Sequence, residues 1–576
     1  MLLFIISLPF FVGIFICTFQ INVNYIKSIA LNTSLLVLWL TLFIFFSFDN
    51  FIIDFQIVQS ISWFVFFNTH FCFGLDNISL LFILLTSFFI PLCFLSVWKT
   101  PKKYSRFFYG LFLILESFIF CAFLSLDLFI FYVFFEAVLI PIFLVVGVLG
   151  SRKRKIRANF IFFIYTFAGS LLILFGILMI YIDTGCTNYL ILIDIDFSID
   201  RQKILWICFF LSFIIKTPIF PFHLWLPETH VEAPTVGSVI LAAVLLKLGT
   251  FGIIKFNLVL FFSASVYFKP FVYIISCIGV IFASLTAIRQ SDVKRIIAYS
   301  SVAHINLVVL GLFSFQWLGF IGSVFQQISH GIVSGALFFC IGVIYDKYHT
   351  RIIKYFGGLV ITIPVFVFFF LTFTLGNMSF PGTSSFVGEF LVLISIFNDN
   401  KFICVFSALS VVLCGAYSLL AFNQISFSNF NNLFLKWSND VDFIEFQIFS
   451  VLFISMLSIG IYPNLVLIKL SNTFINFYIV LIIMKKINFY INGQPAYVHY
   501  PITIFQYCNK TKIEIPRFCV HEKLIVSGNC RICLVEVFKV PKPVVSCSTF
   551  LSDNMIIFTH TPIVKRAQES ILEFLL

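Results

Sequence analysis

The sequence predicts an all-α polytopic membrane protein of about fourteen transmembrane helices, followed by a small α+β domain. Two observations predict the membrane part: 61% of the 576 residues are hydrophobic and only 11% are charged, and the mean hydropathy is +1.08. Soluble domains carry about 25% charged residues. In lipid, a spanning segment must satisfy its own backbone hydrogen bonds, as helices do. A third observation, the change to polar, turn-rich sequence at residue 484, predicts the second domain.

The predicted spans are apolar runs close to the roughly 20 residues that a membrane-crossing helix needs. They lie near residues 1–19, 29–48, 78–97, 107–126, 128–148, 159–182, 203–226, 236–256, 270–288, 295–313, 317–345, 363–397, 402–423 and 447–466. The first run starts at Met1 without a basic presequence or a small-residue cleavage site, so we expect it to be retained.

The placement of positive charge predicts the orientation. Loops after odd-numbered spans carry 17 Lys and Arg residues, and loops after even-numbered spans carry four. Short loops rich in Lys and Arg stay on the inner side of the membrane. We therefore expect both Met1 and the end of the fourteenth span outside, and we attribute the net charge of +11 to orientation rather than to nucleic-acid binding.

Several spans contain ionisable residues, each of which costs about 2.5–3.5 kcal/mol at the centre of a lipid-facing helix. They are Glu116, Glu136, Lys216, Lys247, His304, His330 and Glu389. One interpretation is that a few of them form structural ion pairs. The other is a proton path, because moving a carboxylate towards or away from a buried lysine changes the lysine's affinity for a proton, and histidines relay protons near neutral pH.

Helix breakers accompany two of these charges. Pro218, Pro221 and Pro227 follow Lys216 and flank His223, whereas Gly376, Pro381 and Gly382 precede Glu389. Backbone freed at membrane depth is tolerated only beside protein or water. Two broken helices in corresponding places favour two inverted five-helix repeats, near residues 107–256 and 270–423. Ordinary proline kinks are the alternative.

At these motifs the chain resembles the antiporter-like membrane subunits of respiratory complex I (NADH:ubiquinone oxidoreductase), and the subunit 4 group matches best. The resemblance covers nearly all of residues 1–483. The segments that carry it are KTPIFPFHLWLPETHVEAPTVGSVILAAVLLKLGTFGI (216–253), SDVKRIIAYSSVAHINLVVLG (291–311), ISHGIVSGALFFCIGVIYD (328–346) and GTSSFVGEF (382–390). The resemblance implies fourteen helices in two inverted repeats and proton translocation coupled to NADH:ubiquinone electron transfer.

The resemblance also implies site roles. Glu136 and Lys216 would form a modulating ion pair, and Lys247 would be the central protonatable lysine. Glu389 would be the exit-side carboxylate. His223, His304 and His330 would lie along the hydrated axis. A glutamate rather than a lysine at the last position is the pattern of the subunit 4 group. Glu116 receives no role, and no cofactor is expected in this part.

The last 93 residues contain five cysteines, and four of them, Cys519, Cys530, Cys533 and Cys547, are spaced C-x10-C-x2-C-x13-C. A C-x2-C pair lets two thiolates on one loop reach one metal, and two further cysteines complete four sulfur ligands. From the spacing alone, a structural zinc site remains an alternative to an iron–sulfur cluster. Cys508 fits neither pattern and is expected to be a free thiol.

This region in turn is similar to the start of the large iron–sulfur subunit of complex I. FCVHEKLIVSGNCRICLVEV (518–537), VVSCSTF (544–550) and AQESILEFLL (567–576) carry the resemblance. It implies a β-grasp, ferredoxin-like fold over residues 484–576, with a [2Fe–2S] cluster on the four cysteines. The further cysteine motifs for [4Fe–4S] clusters are not expected here.

The two resemblances imply parts of one enzyme that should not be adjacent, since one belongs to the membrane arm and the other to the peripheral arm. We expect domains 1–483 and 484–576, the second of which starts at Met484 as a separate polypeptide if two reading frames are joined or a precursor is cut. A further crossing by residues 470–484 would reconcile a true fusion with the topology. A stand-alone cation/proton antiporter with an unrelated zinc-binding tail is the alternative function.

Location and partners follow from the same resemblances. We expect an organelle-encoded, multi-pass protein of the mitochondrial inner membrane, with the ferredoxin-like part on the matrix side. The expected partners are membrane lipid, neighbouring antiporter-like subunits and, for the tail, the iron–sulfur and flavin subunits of the peripheral arm. No nucleic acid is expected, and no nicotinamide, flavin or quinone motif is visible in the sequence.

Overall fold

The structure is a computed structural model in two compact units, Met1–Phe474 and Ile475–Leu576. It describes the whole chain except residues 21, 51, 53, 65–68, 100–104, 151–152, 430–438, 472–486, 499–501, 512, 520–528, 539, 553 and 576. The predicted division between residues 483 and 484, and the further crossing over residues 470–484, fall on a stretch outside the described residues. Both remain predictions.

The first unit is helical apart from one β-hairpin, and we call it the membrane unit. Its helices are α1 (Leu2–Thr18), α2 (Val23–Ser47), α3 (Asn77–Ser96), α4 (Ser105–Leu124), α5 (Leu128–Ala137), α6 (Leu139–Leu149), α7 (Lys155–Thr184), α8 (Tyr189–Leu192), α9 (Ile199–Lys216), α10 (Trp225–Glu232), α11 (Thr235–Ile240), α12 (Leu246–Gly252), α13 (Leu258–Leu260), α14 (Phe262–Ile288), α15 (Val293–Leu312), α16 (Trp317–Tyr348), α17 (Leu359–Thr362), α18 (Pro364–Asn377), α19 (Ser384–Asp399), α20 (Lys401–Ser426) and α21 (Phe443–Ile461).

The predicted membrane fold is confirmed. Among the described residues, eleven helices are long and apolar enough to cross a membrane. The three other predicted spans fall on α1, on α9 with α10, and on α18 with α19. The span Thr235–Leu260 and helix α16 are 94% buried over their most apolar window, whereas α2 is 28% buried. The first two therefore lie in the protein interior, where a charge can be shielded from lipid.

The two predicted helix breaks are present, and side chains satisfy the backbone that each of them frees. At the first break, between α9 and α10, the indole of Trp225 donates a 2.7 Å hydrogen bond to the carbonyl of Ile215. At the second, between α18 and α19, the hydroxyl of Ser385 donates to the carbonyl of Gly376. These contacts explain how non-helical backbone is tolerated at this depth.

Two features of the membrane unit were not predicted. The span Thr235–Leu260 contains two π-helical segments, Leu241–Leu245 and Ile253–Asn257, on either side of Lys247. Such widened turns occur often at functional sites. A β-hairpin of β1 (Gln56–Phe64) and β2 (Thr69–Leu75) lies between α2 and α3, where the sequence had been assigned only a loop.

The second unit, which we call the C-terminal unit, is a mixed five-stranded sheet with helices α22 (Ile504–Lys510) and α23 (Pro562–Leu575). The strands are β3 (Ile487–Ile491), β4 (Gln494–Val498), β5 (Leu534–Val537), β6 (Val544–Val545) and β7 (Ile556–Phe558), in the order β4-β3-β7-β5-β6. Asn492 and Gly493 form the β3–β4 turn with φ of 50° and 83°, as a two-residue Asn-Gly hairpin requires. The predicted small α+β domain is confirmed.

Candidate functional site

Lys247 lies at the centre of the candidate site and is 1% exposed. Its Nζ donates a 2.6 Å hydrogen bond to the carbonyl of Ala242 and lies 3.1 Å from Nδ1 of His330 on α16. Ala242 belongs to the first π-helical segment. The widened turn thus supplies a backbone acceptor for the amine, which a buried ammonium group needs.

A second contact pair continues from His330. The rings of His330 and His304 have centroids 5.5 Å apart, and Nδ1 of His304 lies 2.7 Å from Oε1 of Glu389. All three side chains are buried. The structure therefore brings together four of the predicted residues, from four different helices. They form one chain of contacts in the order Lys247, His330, His304 and Glu389.

Neutral polar groups hold this chain in place. The hydroxyl of Thr250 donates to Oε1 of Gln327 at 2.5 Å, and the amide of Gln326 donates to Oε1 of Glu389 at 3.0 Å. The space along the chain of contacts is too small for a water molecule. The residues around it are Leu246, Lys247, Thr250, His304, Ile305, Val308, Gln327 and His330. Sequence reasoning missed these amides and hydroxyls because uncharged polar residues are common in membrane helices.

Glu136 and Lys216 lie close together without touching. Nζ of Lys216 donates at 2.9 Å to the carbonyl of Phe135, the residue before Glu136, and lies 3.4 Å from the centroid of the Phe135 ring. The Glu136 carboxylate accepts hydrogen bonds from Ser170 and, at 3.4 Å, from Tyr132. Among the described ion pairs within 4.0 Å, none joins Glu136 to Lys216.

His223 and Glu116 lie apart from the chain of contacts. Both ring nitrogens of His223 lack a hydrogen-bond partner among the described residues, and the ring packs against Phe220, Phe282 and Tyr299. Both carboxylate oxygens of Glu116 are likewise buried without a partner in the described structure. The role of His223 on the axis remains a prediction, and Glu116 remains without one.

The structure adds two side chains that the sequence did not single out. Sγ of Cys414 on α20 lies 3.8 Å from Nε2 of His304. The hydroxyl of Tyr417, one turn further along, lies 2.8 Å from the same sulfur. The i, i+3 spacing of a thiol and a phenol on one helix was the only signal in the sequence.

In the C-terminal unit, the four predicted ligand cysteines share one neighbourhood. Sγ of Cys530 lies 3.1 Å from Sγ of Cys519. The thiol of Cys547 is hydrogen-bonded to Cys533 and interacts electrostatically with Cys519 and Cys530. Among the described residues, no three such side chains already have the geometry of a closed metal site. Four thiols from three chain segments nevertheless supply the donor set of an iron–sulfur cluster.

Cys508 shares its buried core with two of these four but lies outside the ligand spacing. It is fully buried on α22, in the core that Phe489, Val535 and Ile557 form. Burial raises the pKa of its thiol to about 11, so the thiol is protonated at neutral pH and is a poor nucleophile or metal ligand. This agrees with the expectation of a free cysteine.

The fold and the site together define a class. A buried chain of amine, imidazole and carboxylate groups, beside two broken helices, is the arrangement of antiporter-like, proton-translocating membrane proteins. Residues 125–414 match the family model described as NADH:quinone oxidoreductase/Mrp antiporter, transmembrane. The chain belongs to the family of NADH-ubiquinone oxidoreductase chain 4 proteins.

Similar proteins from other organisms support this assignment. NADH-ubiquinone oxidoreductase chain 4 of Marchantia polymorpha is 48% identical over 446 residues, which are 77% of this chain and 90% of that protein. The chain 4 protein of Arabidopsis thaliana is 47% identical with the same coverage. That of Chondrus crispus is 46% identical over 464 residues, 80% of this chain and 94% of that protein.

Solved structures show the same fold. A chain of respiratory complex I from Thermus thermophilus with bound NADH superposes with a TM-score of 0.76 at 25% identity, over 83% of this chain and 99% of that chain. A chain of the Mrp complex from a Dietzia species gives a TM-score of 0.76 at 18% identity, over 83% and 97%. The second likeness concerns the fold alone.

Residues 484–562 match the family model of the 2Fe-2S iron–sulfur cluster binding domain. The C-terminal unit is therefore an iron–sulfur domain joined to a proton-translocating membrane unit. This combination disfavours the alternative of a stand-alone antiporter with a zinc-binding tail, because an antiporter has no use for an electron-transfer cluster.

Proposed function

We propose that the membrane unit moves protons along Lys247, His330, His304 and Glu389, as a subunit of a proton-translocating NADH:ubiquinone oxidoreductase. The observation that carries this proposal is the continuity of the buried chain: 3.1 Å from amine to imidazole, 5.5 Å between the two imidazole rings, and 2.7 Å from imidazole to carboxylate. Groups at such distances pass protons directly or through one intervening water.

Each member of the chain has a distinct part. Lys247 holds the proton at the centre and can hand it to Nδ1 of His330. His330 passes it towards His304, since histidine accepts and releases protons near neutral pH. Glu389 then takes it at the far end, where its carboxylate faces Nδ1 of His304. No cofactor is required for any of these transfers.

Glu136 and Lys216 would set the direction of transfer. Lys216 is hydrogen-bonded to the Phe135 carbonyl and Glu136 to Ser170, so the two groups are adjacent but do not form an ion pair with each other. If they close into an ion pair, the positive charge near Lys247 is neutralised, and Lys247 retains its proton more readily. If they part, the charge of Lys216 favours loss of the Lys247 proton. His223, in the helix break that follows Lys216, is proposed to belong to the same hydrated axis.

The wider setting is proposed from the relatives' names. We place the membrane unit in the mitochondrial inner membrane, organelle-encoded, beside other antiporter-like subunits of complex I. The Lys- and Arg-rich loops would face the matrix. The C-terminal unit would lie on the matrix side with the iron–sulfur and flavin subunits of the peripheral arm. Electrons would therefore enter and leave through partners.

For the C-terminal unit we propose a [2Fe–2S] cluster held by Cys519, Cys530, Cys533 and Cys547. The support is the shared neighbourhood of the four thiols and the matching family. Such a cluster, when bound, carries one electron at a time. The protein's own contribution is to bring together four sulfur donors from three chain segments and to bury two of them, Cys533 and Cys547.

The proton path is tested by Lys247→Ala in membrane vesicles that contain the assembled complex. We expect NADH oxidation to persist while proton uptake per NADH falls by roughly tenfold or more, since a positioned acid or base contributes at least about 100-fold to a transfer step. Lys203→Ala is the matched control, because Lys203 forms its ion pair with exposed Asp200 and not with a residue of the proposed path. Full pumping by the Lys247 variant would refute the proposed central role.

The cluster is tested by electron paramagnetic resonance of the reduced, purified 576-residue chain. We expect the spectrum of a reduced [2Fe–2S] centre, its loss in Cys533→Ser, and its retention in Cys508→Ala, which removes an equally buried thiol. A spectrum without signal, combined with bound zinc by metal analysis, would instead support the structural metal site.

A further inference from the structure

We infer that the thiol of Cys414 is a positioning group for His304, which makes the contact between His304 and Glu389 open when the pair loses its proton. The inference rests on the proposed proton path and adds a residue to it. It starts from a carbonyl that the broken helix leaves without a backbone partner.

The carbonyl in question belongs to Asn377, the last residue of α18. In a continuing helix it would accept from the N–H of residue 381, but residue 381 is a proline and has no N–H. Sγ of Cys414 lies 3.2 Å from this oxygen and donates to it. A carbonyl can only accept, so the single S–H proton of Cys414 is committed to Asn377.

The remaining contacts of the sulfur must therefore be acceptor contacts. The hydroxyl of Tyr417 lies 2.8 Å from Sγ, the side-chain amide of Asn377 donates to it at 3.7 Å, and Nε2 of His304 lies 3.8 Å from it. Cys414, Tyr417, Asn377 and His304 are all buried, so water does not replace these bonds. The ring of His304 consequently carries a hydrogen on Nε2, directed at the sulfur.

This assignment decides what the other ring nitrogen does. Nδ1 of His304 lies 2.7 Å from Oε1 of Glu389. With Nε2 already protonated, one proton is shared between Nδ1 and the carboxylate, whichever of them formally holds it. When that proton leaves towards the outer side, the lone pair of Nδ1 faces a carboxylate, and two acceptors repel each other. The pair must then open.

Without the thiol the outcome differs. A neutral His304 could move its hydrogen from Nε2 to Nδ1 and keep donating to Glu389 after the proton has left. The pair would stay closed in both states, and loss of the proton would no longer change the geometry. Cys414 thus links proton release to opening of the contact. The Nδ1 that this opening leaves bare is then the nitrogen of His304 that takes the next proton from His330, whose ring centroid lies 5.5 Å away.

The test compares three variants in vesicles with the assembled complex. In Cys414→Ala we expect the protons moved per NADH oxidised to fall about threefold, the effect of losing one modest hydrogen bond, while NADH oxidation continues. Cys414→Ser, whose hydroxyl can also donate and accept, should restore pumping. Cys404→Ala is the matched control, since Cys404 lies on the same helix and its thiol donates to the carbonyl of Leu393 rather than contacting His304.

Normal pumping by Cys414→Ala, or no rescue by Cys414→Ser, would overturn the inference. If the alanine variant does not assemble, Cys414→Val, which fills the space of the thiol without the bond, replaces it with the same expectation. Failure of both apolar variants to assemble would make the contact structural and would also overturn it. Lys247→Ala is measured alongside: if that variant pumps normally, the proposed path itself fails, whereas a defect there with normal Cys414→Ala removes only this inference.

Discussion

Each of the two helix breaks in the membrane unit lies near a pair of ionisable side chains, but only the pair near the second break is in contact. At the first, Lys216 ends α9 and donates to a backbone carbonyl, while Glu136 accepts from hydroxyl groups, so neither charge touches the other. At the second, Glu389 on α19 is in direct contact with His304 at 2.7 Å. One pair is held apart by neutral partners, and the other is closed.

The difference shows how one fold can hold a charge in two ways. A buried charge costs free energy unless it is paired or hydrogen-bonded. At the first break, neutral donors and acceptors meet that need, so closing or parting the pair exchanges one set of contacts for another. At the second break, the imidazole of His304 and the carboxylate of Glu389 satisfy each other, so the two groups can separate only when the pair gains or loses a proton.

The largest effect on this comparison is expected from Glu389→Gln. The amide removes the charge that faces His304, so an imidazolium there would be buried without a counter-charge, which costs about 3–5 kcal/mol. We expect His304 to stay neutral and proton uptake per NADH to fall about tenfold, measured with a pH-sensitive dye in sealed vesicles.

Asp399→Asn serves as the control for that substitution. Asp399 ends the same helix and pairs at 2.6 Å with Lys269, but both side chains are partly exposed. Exposed pairs contribute about 0–1 kcal/mol, so pumping should remain close to normal. Equal losses in both variants would mean that charge on α19, rather than the contact with His304, is what matters.

A smaller and more discriminating effect is expected from two double-mutant cycles on the pumping rate. Both cycles should give a coupling of about 0.5–3 kcal/mol. His304→Gln and Glu389→Gln are coupled because the two groups are in contact, and Lys216→Met and Glu136→Gln are coupled because the proposed switch closes that pair during turnover. Additivity within about 0.5 kcal/mol in the second cycle would contradict the proposed role of Glu136 and Lys216.

Much of the architecture was predictable because lipid imposes a strict rule on sequence. Every backbone polar group in a span must be satisfied internally, so long apolar runs predict helices, and prolines and glycines predict where they break. Both breaks fall where Pro218, Pro221, Gly376 and Pro381 placed them. The penalty for burying charge likewise singled out the residues of the proposed proton path without any knowledge of their partners.

The C-terminal unit was predictable for a different reason. A metal-binding domain repeats a fixed spacing of ligands, and the C-x10-C-x2-C-x13-C pattern is visible in the sequence. The Asn-Gly turn between β3 and β4 follows from backbone sterics, since both residues tolerate positive φ.

The sequence by itself therefore determined the class of membrane protein: the positions of the spans, the positions of the helix breaks, and the ionisable side chains that are costly to bury. Only the tertiary structure decided which side chains come into contact. Lys247 and His330 are 83 residues apart, and His304 and Cys414 are 110 apart. Helical periodicity specifies a face but not the neighbour packed against it. In the sequence, a buried cysteine cannot be distinguished from a small hydrophobic residue. Only the packing shows that its sulfur lies beside an imidazole.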